Sequence, residues 1–337
     1  MIVVGGGIIG LSCAWRLAQR GVQVTLFDAR ETGTEASWAA AGMLAPGGEF
    51  EQDSPAARMA VASLALYPSF VRELQDAAGI AIDYRKCGAL DVAFTEEQAV
   101  ALASRAARQQ ALGINSETAK HPYAVAARFY PHDALVSPRD VTSALRIACL
   151  REGVAIRDHE TVEAILENGT GVRTRHATCH DEGVLVAAGA WSSTLLPSAG
   201  TEPVRGHLIA WNNQPTLPHA ILRSGPTYVI QRASGQIVAG STTEHVGFDR
   251  FTDPVMVADI RRRTTELVPS LAAFSVDDAW VGFRPGVAGD SPVIGRLPGT
   301  SIWTAFGHYR NGILLAPLTA QKLAEMVTAG RTPLVTP

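Results

Sequence analysis

The chain has 337 residues, 29 basic and 32 acidic, for a formal charge of −3, and 47% are apolar. That composition excludes a disordered, collagen-like or coiled-coil chain, and the length suggests about two domains with cores of their own. The basic residues are scattered, so phosphate binding by counterion release would be weak and no nucleic-acid partner is expected.

Arg261-Arg262-Arg263 reads as one solvated helix face. The apolar start, Ile2 to Trp15, carries no basic leader and holds four glycines, so neither a signal peptide nor a membrane anchor is expected. Cys13, Cys87, Cys149 and Cys179 lie far apart without CxxC or His-paired spacing. A zinc site and a disulfide scaffold are therefore disfavoured, no metal is expected, and the reading is a protein of the reducing cytoplasm.

The β-branched run Ile2-Val3-Val4 ends in a GxGxxG turn at Gly5, Gly7 and Gly10. Leu11, Ala14, Leu17 and Ala18 then fall on one helical face, Gly21 supplies the stop, and Val22 to Phe27 reads as a second strand closed by Asp28. In such a β-α-β unit Gly5 permits the tight turn, Gly7 lets backbone approach a pyrophosphate, and Gly10 lets the helix lie close to the strand. The helix N-terminus offers free N–H groups and the positive end of its dipole. Asp28, eighteen residues after Gly10, is placed to accept from ribose hydroxyls and would repel the 2′-phosphate of NADP. FAD and NAD both fit these features.

Next comes a small-residue stretch, Ala39-Ala40-Ala41-Gly42-Met43-Leu44, preceded by Ser37 and read as a connection or helix start. Residues 55–80 and 95–112 read as helices with the strand Ala89 to Phe94 between them. Val141 to Arg151 reads as a helix, Val154 to Leu166 as a strand region, and Gly183 to Gly189 as a buried strand of a parallel sheet. The interval 203–250 alternates, as in Tyr228-Val229-Ile230, and reads as antiparallel sheet interrupting the first domain. The last sixty residues, from Trp280, read as a return to the first pattern: strand Ile302 to Phe306, turn Gly307 to Gly312, helix Ile313 to Val327.

Taken together, four stretches resemble the FAD-dependent amino-acid oxidases of the D-amino-acid oxidase superfamily, and within it the glycine oxidases that feed thiamine biosynthesis. They are Gly5–Gly10 with Asp28, the Ala39–Leu44 stretch, Gly282-Phe283-Arg284-Pro285-Gly286, and Gly307 to Pro317, in matching order from residue 2 to about 330. The fold class this implies is α/β: a Rossmann-type FAD-binding domain with an interleaved α+β substrate domain built on an antiparallel sheet. Residues 1–46, 133–200 and 288–337 would form the first, and 47–132 and 201–287 the second.

By the same resemblance Gly5, Gly7, Ile8, Ile9, Gly10, Asp28, Ala29, Ala36, Ser37, Ala41, Gly42, Met43 and Val162 would contact FAD. His308, Tyr309, Arg310, Asn311, Gly312, Ile313 and Leu314 would wrap its flavin ring. Arg284 and Tyr228 would hold the substrate carboxylate, and the backbone near Arg310 would reach the amine. A guanidinium suits a carboxylate because its planar paired donors match the two oxygens. Read without the resemblance, Arg284 ties down a Pro-Gly turn, Tyr228 is half-buried packing, Arg310 is a surface charge and His308 is structural.

Hydride transfer from the substrate α-carbon to a flavin needs alignment more than an acid, which suits a chain without GxSxG, HExxH or a Cys–His pair. A helix starting near Ile313 would aim its positive end at the reduced ring. The expected reaction is oxidative deamination of glycine or an N-substituted glycine to glyoxylate plus ammonia or amine, with O2 reduced to H2O2. Thr243 and Pro226 stand where glycine oxidases often carry methionine and histidine, and Gln231 where proline is common, which is read as room beside the amine. Rival readings are an oxidase of neutral D-amino acids, a dehydrogenase using a non-oxygen acceptor, and a non-catalytic dinucleotide-binding module. The cysteines lie outside the Arg284 segment, so FAD is expected to be held non-covalently; no membrane partner is expected, and a homo-oligomer is left open.

Overall fold

The computed structural model describes residues 1–289 and 291–329; Asp290 and residues 330–337, the tail of the expected 288–337 segment, lie outside the described residues. A six-stranded sheet runs in the order Val293–Arg296, Ile302–Phe306, Val184–Val186, Ile2–Val4, Thr25–Phe27, Ala155–Arg157. Five strands are parallel and only Val293–Arg296 runs against its neighbour. Their apolar runs fit a sheet covered on both faces. Val3 and Leu185 pack beneath helices Ile8–Ala18, Pro138–Arg151 and Gly312–Thr328. Ile2, Val4 and Val184 face the other way, against Val162 and Val172 of a small antiparallel sheet.

The strand expected over Val22 to Phe27 spans only Thr25–Phe27, because its neighbours Ile2–Val4 and Ala155–Arg157 each offer three residues to pair. The helix expected over 55–80 is Pro55–Ala78, capped by the Ser54 hydroxyl at its start and closed by Gly79 at φ +68°.

An eight-stranded sheet follows the order Asp278–Gly286, Glu202–Trp211, Ile237–Gly240, Thr227–Gln231, Ile221–Ser224, Ala89–Ala93, Ala126–Tyr130, Glu117–Ala119. Two features depart from the sequence reading. The segment Asp278–Gly286 belongs here, paired along Glu202–Trp211, so the return to the parallel sheet begins only with Val293–Arg296. The sheet also recruits Ala89–Ala93, which joins Ile221–Ser224 in a parallel pair.

Alternation sorts this sheet's two faces. Ile209, Trp211, Val229 and Ala239 pack against Ile260 and Leu267 of helix Pro254–Leu267. Leu208, Ala210, Tyr228 and Val238 face Ala39 and Ala41, across from the carboxyl ends of the parallel strands. Among the described residues no helix is long and apolar enough to cross a membrane.

Candidate active site

Between these two surfaces lies a cavity of about 640 Å³, inside the range typical of cofactor and ligand sites. Its first half is built by the glycine turn. Gly5 has φ +104°, and a β-carbon there would overlap the Ala187 carbonyl; one at Gly10 would overlap the carbonyl of Gly5. Helix Ile8–Ala18 therefore starts hard against the strand end, with no acidic residue in its first turn. The Ile8 N–H donates to Ser37 Oγ at 2.9 Å, so that hydroxyl stands at the helix N-terminus with its own proton free to donate. Asp28 accepts from Gly6 N–H at 2.6 Å and from Arg30 N–H at 2.8 Å. Burial raises the Asp28 pKa, and those two N–H groups oppose the rise.

The second half gathers charge. Arg284 donates to the Thr242 carbonyl at 3.0 Å and to Ser241 Oγ at 2.8 Å. Both acceptors are neutral, and among the described residues Arg284 has no carboxylate at ion-pair distance. Burial lowers its pKa, partly offset by Tyr228, and the neighbouring Arg310 charge lowers it further. It is a partly buried cation whose hydrogen-bond acceptors, among the described residues, are all neutral. Tyr228 is buried, which raises its pKa, so its hydroxyl remains a donor. Arg310 instead has a partner: Nε and a terminal nitrogen donate to the two oxygens of Glu49 at 2.8 and 3.1 Å.

The turn between strand Ile302–Phe306 and helix Gly312–Thr328 completes the wall. Ser63 Oγ donates to the Leu314 carbonyl at 2.7 Å and Tyr67 donates to that of Ile313, which pins the helix start. His308 is buried, its Nε2 at 3.0 Å from Thr319 Oγ1, and burial pushes its pKa down to about 3. It is a neutral imidazole.

All the residues expected at the cofactor line this cavity except Gly10 and Leu314. Gly10 acts through helix–strand packing, and Leu314 is buried in the helical core. Arg284, Tyr228 and Arg310 line it too, but the Arg310 side chain turns to Glu49 and not to open space. Thr243 and Pro226 are exposed and off the wall, and the buried Gln231 amide is spent on Leu217 and Pro215. None of these three positions therefore makes room beside the amine. Sequence reasoning missed Glu49, Gly206, Ser241 and Trp191, all on the wall. Only the glycines of Pro46-Gly47-Gly48-Glu49 hinted at a tight turn there.

Residues 1–326 match the family described as FAD dependent oxidoreductase (DAO). The chain belongs to this family. It is accordingly an FAD-dependent oxidoreductase, and its cofactor is FAD. It is 32% identical to the glycine oxidase of Pseudomonas putida, over all of this chain and 96% of that protein. It is also 32% identical to the bifunctional protein ThiO/ThiG of Synechocystis sp. over 97% of this chain and 51% of that protein. The chain thus spans about half the length of such bifunctional relatives. The crystal structure of glycine oxidase from Geobacillus kaustophilus superposes with a TM-score of 0.93 at 30% identity, covering 98% of this chain and 95% of that one.

The residues present fit FAD. The Gly5–Gly7 backbone and the N-terminus of helix Ile8–Ala18 form a cradle open to a diphosphate, with Asp28 beside it. The same cavity runs on to Met43 and the turn His308–Ile313, with Arg284 on its wall, and there a ring system would find room.

Proposed function

We propose that this oxidoreductase oxidises glycine or an N-substituted glycine to glyoxylate plus ammonia or a primary amine, with O2 reduced to H2O2. One observation carries the reading: among the described residues Arg284, on the cavity wall, is satisfied only by the Thr242 carbonyl and the Ser241 hydroxyl. A partly buried cation with no carboxylate at ion-pair distance among the described residues suits a ligand that brings one. The glycine oxidases among its relatives support the choice of amino acid.

In this proposal Arg284 binds the carboxylate through its remaining N–H groups and the Tyr228 hydroxyl donates a further hydrogen bond. Ser241 and the Thr242 carbonyl hold the guanidinium plane. Fixing the carboxylate at two points sets the direction of the α-carbon, which is where alignment lowers the barrier. Bound FAD supplies the two-electron acceptor. His308 stays neutral and so adds no charge beside it. The first turn of helix Gly312–Thr328 carries no acidic residue and presents its positive end to the cavity. Water then hydrolyses the substrate imine outside any acid–base dyad.

The reading keeps 1–46, 133–200 and 288–337 as the cofactor part and 47–132 with 201–287 as the substrate part. It also keeps a cytoplasmic location and a non-covalent FAD, which acid precipitation would release from the protein. The test is peroxide release from the purified holoenzyme with glycine, sarcosine, N-ethylglycine and D-alanine. Turnover of a glycine is expected. Turnover of D-alanine alone, or flavin reduction without peroxide, would replace the proposal by a D-amino-acid oxidase or by a dehydrogenase.

A further inference from the structure

Among the described residues three arginines line the cavity, and two of them are already matched by carboxylates. Arg30 pairs with Glu35 at 2.8 Å. Arg310 is gripped by both oxygens of Glu49, and neither side chain is more than about a third exposed. Arg284 alone of the three meets, among the described residues, only neutral acceptors.

The pairing of Glu49 is built in by its surroundings. It ends the single helical turn Pro46–Glu49, whose backbone is clamped by buried polar groups. Gln109 Nε2 donates to the Gly47 and Phe50 carbonyls, and Tyr130 donates to Gln109 Oε1 at 3.0 Å. A β-carbon at Gly48 would overlap the Arg223 guanidinium, which is itself held by Asp91 and Asp133. The carboxylate is thus delivered to Arg310 by a fixed backbone and not by a freely moving loop.

A second free guanidinium in the same cavity would be a second carboxylate receptor. We infer that Glu49 is a specificity-determining residue: by filling the paired donors of Arg310 and adding its own negative charge, it restricts the cavity to substrates with one carboxylate. Discrimination of this kind comes as much from the repulsive element as from the attractive one. The inference rests on the proposed carboxylate site at Arg284.

The test is calorimetric titration of holoenzyme, without oxygen, by acetate and by iminodiacetate, which carries a second carboxylate on its nitrogen substituent. Glu49→Gln keeps the shape and removes the charge. It should tighten iminodiacetate about tenfold or more while acetate moves less than about threefold. Equal change for both ligands, or none, overturns the inference. Arg310→Met supplies a second reading that does not depend on that variant folding. It leaves Glu49 unpaired and should weaken iminodiacetate about tenfold relative to acetate; equal weakening again overturns the inference. Failure of acetate to bind the parent enzyme would instead sink the Arg284 reading, because the iminodiacetate comparison reports on Glu49 alone.

Discussion

Arg284 lies flat across Gly206: a β-carbon at that glycine would overlap both terminal nitrogens of the guanidinium. Gly206 sits on strand Glu202–Trp211, directly opposite Gly282 of strand Asp278–Gly286. The strand pairing therefore sets the height of the guanidinium above the sheet, while Ser241 and Thr242 set its plane.

Gly206→Ala should push the guanidinium off that surface. A displacement near 1 Å at a positioning group costs about a hundredfold in rate, so kcat/KM is expected to fall by roughly that factor while FAD content is retained. Steady-state kinetics on the best substrate check this. An unchanged kcat/KM would mean that the guanidinium is not placed by contact with the strand.

Ser37→Ala removes the acceptor for the Ile8 N–H and the hydroxyl beside the cradle. Loss of a helix N-terminal acceptor costs about 1 kcal/mol, so FAD should bind roughly fivefold more weakly, read by flavin fluorescence on titrating apoprotein. Affinity equal to the parent would separate Ser37 from cofactor binding.

Stability should fall on acidification through His308. Folded, the imidazole is held neutral by burial, with its pKa pushed down to about 3; unfolded, it takes a proton below about 6.5. Its contribution is complete above the unfolded value and is lost as pH drops from there toward the folded one. Between pH 7 and pH 5 the parent should lose about 2 kcal/mol more than His308→Gln in urea unfolding with excess FAD. Identical pH dependence of the two proteins would contradict the buried neutral state.

Asp133→Ala leaves the buried Arg223 with one carboxylate, Asp91, where it had two. Breaking a buried charge pair typically costs about 3–5 kcal/mol, and the low end is expected because half of the pairing survives. Denaturant unfolding gives the value. A loss below about 1 kcal/mol would mean the cluster does not hold the Gly47–Gly48 turn.

Much of this architecture was readable because local chemistry forces it. Gly5 and Gly10 leave the backbone no alternative to a tight strand–helix turn, and the alternation around Tyr228 fixes which face it shares with Leu208. What escaped depends on partners far along the chain. Ala89–Ala93 reads as a strand, but nothing local assigns it to a sheet joined at Ile221–Ser224. Arg310 reads as a charge beside a helix, and its carboxylate comes from Glu49, in a glycine turn without any periodic signal. Thr243 and Pro226 misled for the same reason: neighbouring numbers on an antiparallel sheet and its loops point to different surfaces.

The central claim is that Arg284 is the anchor for a carboxylate. Replacing it by alanine in the FAD-loaded enzyme and titrating acetate measures this directly, alongside kcat/KM for the preferred substrate. Losing a charge-assisted paired contact of about 2–4 kcal/mol should weaken both by about 30-fold to 1,000-fold at unchanged FAD content. Acetate affinity and kcat/KM equal to the parent would show that the carboxylate binds elsewhere.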